Sequence, residues 1–291
     1  MRNTLLVLLI LSMTSCAIQK KTVDTMLAAE SATAAGDHNK ALELWEKKIT
    51  EDELAGRETT TQAYDKAGHA ALAVGDTIKA ENHFKLAVYH KTASLKTWLF
   101  LSDFYRKADN LSLEVMTLEG LLKNYPEKPE TKNAMPLLFE LYTQTQQWDK
   151  AVETWSHIRP ENQDEDVLNN WLIVNKALKN NDVCNETSSL LLTKNPNNTD
   201  ALDWKAIQLY DLGEKRYQQE MTAYERNKTR KQYATLLKGL EKSTNDFKES
   251  LKLFERLYKI KPDKAYALYM GNIYARFGDE KNASKYHKLA N

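Results

Sequence analysis

Three ungapped copies of one short pattern constrain what this chain can fold into more than any other feature. "GDHNKALELW" begins at Gly36, "GDTIKAENHF" at Gly75 and "GDEKNASKYH" at Gly278. Each has Gly-Asp, an Ala five places after the Gly, and a bulky ring four places after the Ala. The residue types divide the work. Glycine accepts the left-handed backbone that ends one helix, and aspartate caps the next by accepting from its free amides. Alanine lets two helices approach closely, and the ring one turn later fills the gap beyond. A chain that repeats this pattern repeats a helix–turn–helix unit, and such units bury their apolar faces by stacking on one another.

The amphipathic runs around these turns extend the repeat. The second copy carries Tyr64, Ala67, Gly68 and Ala71, then Ala80, Phe84 and Ala87. A third shows Trp98, Leu101, Tyr105, Leu118, Leu121 and Pro126, with Glu114 where Ala is usual. A fourth shows Leu138, Tyr142, Ala151 and Trp155, and a fifth Ile173, Ala177, Leu190 and Pro196. The last runs from Pro262 through Met270, Gly271, Tyr274, Gly278 and Ala283 to Ala290. These positions resemble the tetratricopeptide repeat, whose signature is W-x2-L-G-x2-Y, then A-x3-F, then P.

That resemblance implies an all-α fold, a right-handed superhelix of about seven hairpins. The array would occupy residues 22–291, with repeats near 22–52, 59–92, 94–127, 130–160, 164–197, 199–262 and 263–291. The sixth unit departs from the pattern. Trp204, Ile207 and Tyr210 open it, "FKESLKLFERLYKIKP" (247–262) closes it, and residues 214–242 are inserted between them. Tyr217, Met221, Tyr224, Tyr233, Leu236 and Leu240 recur at helical spacing there, so one face of the insertion is expected to be buried. Either one elongated helix runs through Gly213 or two helices break at it, since Gly in a helix costs only about 1 kcal/mol. Nine glycines and six prolines are few for a sheet protein with many tight turns.

The N-terminus carries a separate signal. Met1-Arg2-Asn3 is followed by an apolar run from Leu5 to Leu11, then Ser12-Met13-Thr14-Ser15-Cys16. A cationic tip, a short apolar core and small residues are the parts of a secretory signal, and the run is too short to span a bilayer. It resembles a bacterial lipoprotein signal, which implies cleavage after residue 15, acylation of Cys16, and a short tether over 16–21. Ala17 lacks the Asp that marks inner-membrane retention in many lipoproteins, so the expected location is the outer membrane, facing the periplasm. The chain has two cysteines. Acylation of Cys16 leaves Cys184 without a disulfide partner, and Cys184 is expected to be a small packing residue.

Reaction chemistry has little to stand on. The sequence has no glycine-rich phosphate loop, no nucleophile elbow and no paired-cysteine metal motif. His69, His83 and His90 lie on two neighbouring predicted helices but lack the tighter spacing of zinc ligands. No catalytic residue, metal or cofactor is assigned, and an enzyme is not expected. The 41 basic and 40 acidic residues balance, so no global field draws the chain to nucleic acid. "RNKTRK" (226–231) is the densest basic cluster.

Arrays of this type form a concave groove lined by first helices. By the resemblance, Asp65, His69, Asp103, Arg106, Glu140, Trp171 and Asn175 fall near that groove, with Trp171 the strongest anchor candidate. The subfamily that grips a C-terminal carboxylate uses Lys and Asn where this chain has Asp65, His69, Leu99 and Asp103, so that mode is not expected. The expectation is a non-catalytic, lipid-anchored scaffold that binds envelope proteins or peptides, in outer-membrane assembly or secretion. The alternative is a glycan- or nutrient-binding lipoprotein accompanying an outer-membrane transporter, with 214–242 carrying the ligand site.

Overall fold

The computed structural model describes residues 25–56, 62–131 and 133–291. The signal segment, Cys16 and the tether lie outside the described residues. Among those described, no strand occurs. The chain divides into two compact units, one up to Leu138 and one from Phe139 onward. The first holds α1 (25–34), α2 (His38–Leu54), α3 (Ala63–Ala73), α4 (Thr77–Tyr89), α5 (Leu95–Lys107) and α6 (Leu111–Asn124). The unit boundary falls inside α7 (Ala134–Gln144). The second unit continues with α8 (Trp148–Trp155), α9 (Glu165–Ala177), α10 (Asn181–Lys194), α11 (Thr199–Arg226), α12 (Arg230–Ile260), α13 (Lys264–Arg276) and α14 (Glu280–Ala290).

One turn builds these hairpins. Before α2, α4, α6, α8, α10 and α14 the chain passes through a left-handed residue: Gly36, Gly75, Asp109, Gln146, Lys179 and Gly278. Around each, two backbone bonds close the preceding helix. Asp76 N donates to Ala71 O at 2.9 Å and Gly75 N to Leu72 O at 3.1 Å. Gln147 N to Tyr142 O and Gln146 N to Thr143 O repeat that geometry at 2.8 and 3.1 Å. This is the Schellman motif, which satisfies carbonyls that a helix end leaves open. The following residue caps the next helix: Asp37, Asp76, Asn110 and Asp279 accept from Lys40, Lys79, Leu113 and Asn282 amides at 2.9–3.2 Å.

Four residues after each cap the side chain is buried: Ala41, Ala80, Glu114, Ala151, Cys184 and Ala283. Cys184 therefore occupies the small-residue place in its hairpin. The fifth hairpin is shifted from the expected register. Ile173 and Leu190 are each 43% exposed, whereas Leu172, Ser188 and Leu191 are buried. Counting from the cap at Asn180 rather than from apolar residues gives the observed register, because the turn sets which side of α10 meets α9. Where rings press on first helices, glycine makes room. A Cβ on Gly68 would lie 2.4 Å from the Phe84 ring, and one on Gly271 would lie 2.3 Å from His287.

The insertion resolves to continuous helix. α11 runs unbroken through Gly213, turns at Asn227–Thr229, and returns as α12. A core of the second unit runs through Leu202, Ala206, Phe247, Phe254, Leu257, Met270 and Ile273, with Tyr210 and Tyr269 packed against it.

Candidate groove of the first unit

In the first unit, α1, α3 and α5 are first helices, and a cavity of about 780 Å³ opens between them. Thr33 comes from α1, Asp65, Lys66, His69 and Ala70 from α3, and Leu95, Lys96 and Leu99 from α5, with His38, Ala41, Gln62, Ser94 and Glu130 completing the wall. Asp65 sits at its floor, 2% exposed. Its Oδ1 accepts from the Ser94 amide at 2.7 Å and from the Thr97 hydroxyl at 2.6 Å. Those bonds tie α3 to the start of α5, whose N-cap is Ser94.

Asp65 is therefore committed to structure. The second unit repeats the device at the same interval. Asn169 Oδ1 on α9 accepts from Asn198 Nδ2 at 2.9 Å, and Asn198 caps α11 through the Ala201 amide at 2.9 Å. In both cases a polar side chain on one first helix reaches the cap of the next first helix, 29 residues later. At these two caps the interval was available in the sequence as a polar residue standing 29 places ahead of the cap.

His69 lies one turn from Asp65, half-buried, with Nε2 3.2 Å from both Ser94 Oγ and Thr97 Oγ1 and 3.7 Å from Asp65 Oδ2. Burial pushes its pKa below 6.5. The Asp65 charge opposes that shift, and Lys96 and Lys66 add to it. The imidazole is thus held neutral beside two cations, over an apolar wall of Ala41, Ala70, Leu95 and Leu99. Lys66, Lys96 and Leu95 were not singled out by sequence reasoning, because adjacent helices bring them together, whereas the repeat pattern had marked Leu99 as a groove position.

The other sequence candidates fall elsewhere. Asp103 pairs with Lys107 at 2.7 Å on the exposed surface of α5. Arg106 Nε donates to Glu114 Oε1 at 2.7 Å, supplying the cation that lets a buried glutamate stand in the alanine place. In the second unit Glu140 accepts from Gln144 at 3.0 Å. Trp171 stacks on Trp155 with centroids 4.4 Å apart and planes 2° apart, so its ring serves the junction of α8 and α9. Asn175, expected at a groove, is 1% exposed and bonds the Trp171 carbonyl and Asn180. It is correctly read as a buried brace for the turn into α10.

The three histidines face different partners. His83 Nε2 lies 3.1 Å from Glu46 Oε1, and His90 stacks on Tyr64 with centroids 5.0 Å apart. Among the described residues, no group of three or more His, Cys, Asp or Glu side chains could hold a metal ion.

Recurrent Schellman turns, capped second helices and small residues at the crossings define an all-α protein of serial helical hairpins, tetratricopeptide-like in design. No protein-family model matches the chain, and no curated protein matches it. Solved structures similar to it include the C-terminal part of a TPR repeat-containing protein from Cytophaga hutchinsonii, at TM-score 0.47 and 12% identity over 90% of this chain and 92% of that one. MamA is similar at TM-score 0.43 and 15% identity, over 67% and 89% of the two chains. YrrB, described as a TPR protein with an unusual peptide-binding site, is similar at TM-score 0.40 and 15% identity, over 65% and 95%.

Proposed function

We propose that this chain is a non-catalytic scaffold whose first-unit groove binds an extended segment of a partner protein. The groove itself carries the reading: an apolar wall, two lysines at its rim and a neutral histidine, framed by rigid first helices. Such a surface suits a segment that presents an aliphatic side chain to Leu95 and Leu99 and a carboxylate to Lys66 or Lys96. Peptide grooves draw affinity from a few such anchors.

The lipoprotein-like pattern ending at Cys16 supports tethering at the bacterial outer membrane, with the scaffold serving envelope assembly or secretion from the periplasmic side. Labelled palmitate incorporated by the native chain and absent from Cys16→Ala tests the tether. For the groove, a photocrosslinking residue is placed at Leu99, with a second at the exposed Tyr89 on α4 as comparison. A discrete adduct in intact cells from Leu99 alone, lost when Lys66 and Lys96 are changed to Glu, is the expected result. Equal adducts at both positions sink the assignment.

A further inference from the structure

Past Gly213, α11 continues through residues 214–226, roughly 20 Å at 1.5 Å per residue, and α12 returns alongside it. The root of this arm is fixed. Arg276 of α13 donates Nε to Glu214 Oε1 at 2.8 Å and lies 4.2 Å over the Tyr217 ring. Arg216 Nη1 reaches both oxygens of Asp246, at 3.0 and 2.8 Å, and Ser243 donates to the Gly213 carbonyl at 2.8 Å. Higher up, the two helices pack on each other. Leu236 and Gly239 are buried in the seam, Tyr224 and Tyr233 meet with centroids 5.7 Å apart, and a Cβ on Gly239 would lie 2.2 Å from Glu220 Cγ.

The far end has a different character. Arg226, Lys228, Arg230 and Lys231 are all exposed, and among the described residues none of them forms an ion pair. Across residues 222–238 only Glu225 is acidic. Arg230, Tyr233, Ala234 and Leu237 follow the i, i+3, i+4, i+7 spacing of a single helix face, and all are exposed, Tyr233 by 49% and Leu237 by 51%. A stiff arm thus ends in a convex cationic tip with an apolar stripe beside it.

We propose that this tip docks on an anionic lipid surface, its four cations at the phosphate headgroups and Tyr233 and Leu237 in the interfacial layer. A dense negative surface rewards clustered cations. Long basic side chains keep their charge in water while their stems lie along apolar material, and tyrosine favours the boundary layer. The exposed Tyr233 and Leu237 beside the cations match the apolar layer that lies just beneath anionic headgroups, which an acidic protein surface does not offer. The tip shares no residue with the first-unit groove.

The test is co-sedimentation of the full chain with vesicles of phosphatidylglycerol and phosphatidylcholine in equal parts, against phosphatidylcholine alone. The chain carrying R226Q, K228Q, R230Q and K231Q is expected to partition roughly tenfold or more weakly into the anionic vesicles, and added salt is expected to weaken the native chain in the same way. Changing Leu237 to Ala leaves the Tyr224–Tyr233 contact in place, removes apolar contact alone and is expected to cost about twofold, with an unchanged helical spectrum. Every chain compared keeps the same N-terminus, so the differences report on the arm. Equal partition of native and charge-depleted chains overturns the proposal. So does capture of the native chain by polyglutamate without preference for anionic vesicles, an outcome that points to an acidic protein.

Discussion

Asp109, Gln146 and Lys179 hold φ angles of 52°, 57° and 59°, in the region that Gly36, Gly75 and Gly278 occupy at the equivalent turns. An L side chain there costs roughly 1 kcal/mol or more, while glycine costs some unfolded-chain entropy in exchange. Each single change of these residues to Gly is therefore expected to raise stability by up to about 1 kcal/mol, read as a higher urea midpoint. A fall at all of these positions would show that the side chains make compensating contacts. His69 offers a second test. Its folded pKa lies below 6.5 through burial, so between that value and 6.5 the unfolded chain binds the extra proton. Stability contributed by His69 is full above about pH 6.5 and is lost as pH falls through that window. The NMR titration midpoint of His69 is expected below 6.5, rising in Lys96→Ala because that cation helps depress it, and the pH slope of stability is expected to flatten in His69→Gln. These residues show where sequence was legible. The Gly-Asp turns announced themselves, but the same turn at Asp109, Gln146 and Lys179 carried no glycine, and the fifth register slipped for that reason.

Helix α11 raises the question that local propensity left open. Gly213 weakens a helix by about 1 kcal/mol, and its backbone is nevertheless helical because α12 holds it. The Ser243 hydroxyl bonds its carbonyl at 2.8 Å, and the Phe247 ring lies against the space where a Cβ would be. The arm in turn depends on α13. Arg276→Ala removes the partner of Glu214 and the cation over Tyr217, so amide exchange in residues 214–226 is expected to quicken by several-fold while α1–α6 stay unchanged. Uniform protection across the arm in that variant would mean that the α11–α12 seam suffices by itself. The periodicity of Tyr217, Met221, Tyr224, Tyr233, Leu236 and Leu240 signalled a helical insertion, but of that face only Leu236 is buried and Tyr233 is 49% exposed. Its antiparallel closure was not legible, since the turn at Asn227–Thr229 has no glycine or proline to mark it.

At the scale of the molecule, one device occurs in both compact units: a polar side chain on one first helix, Asp65 on α3 and Asn169 on α9, grips the cap of the next. Asp65→Ala leaves the Ser94 amide without its acceptor and the Thr97 hydroxyl with His69 Nε2 in reach instead, which is expected to cost about 1–3 kcal/mol and to widen the first-unit groove. Thermal unfolding of this variant beside Asn169→Ala, which removes the equivalent bond in the second unit, measures whether the grip matters equally in both. The amino-acid order alone determined that the chain folds as serial helical hairpins, because helix stops, caps and tight crossings are local instructions carried by Gly, Asp and Ala within a few residues. Only tertiary structure decided which polar residues stay open to the groove and which are taken up inside the protein. Asp65 and Asn175 look alike as exposed-type side chains along a helix, and their burial follows from the neighbouring helix or turn that closes over them, a contact no single hairpin encodes.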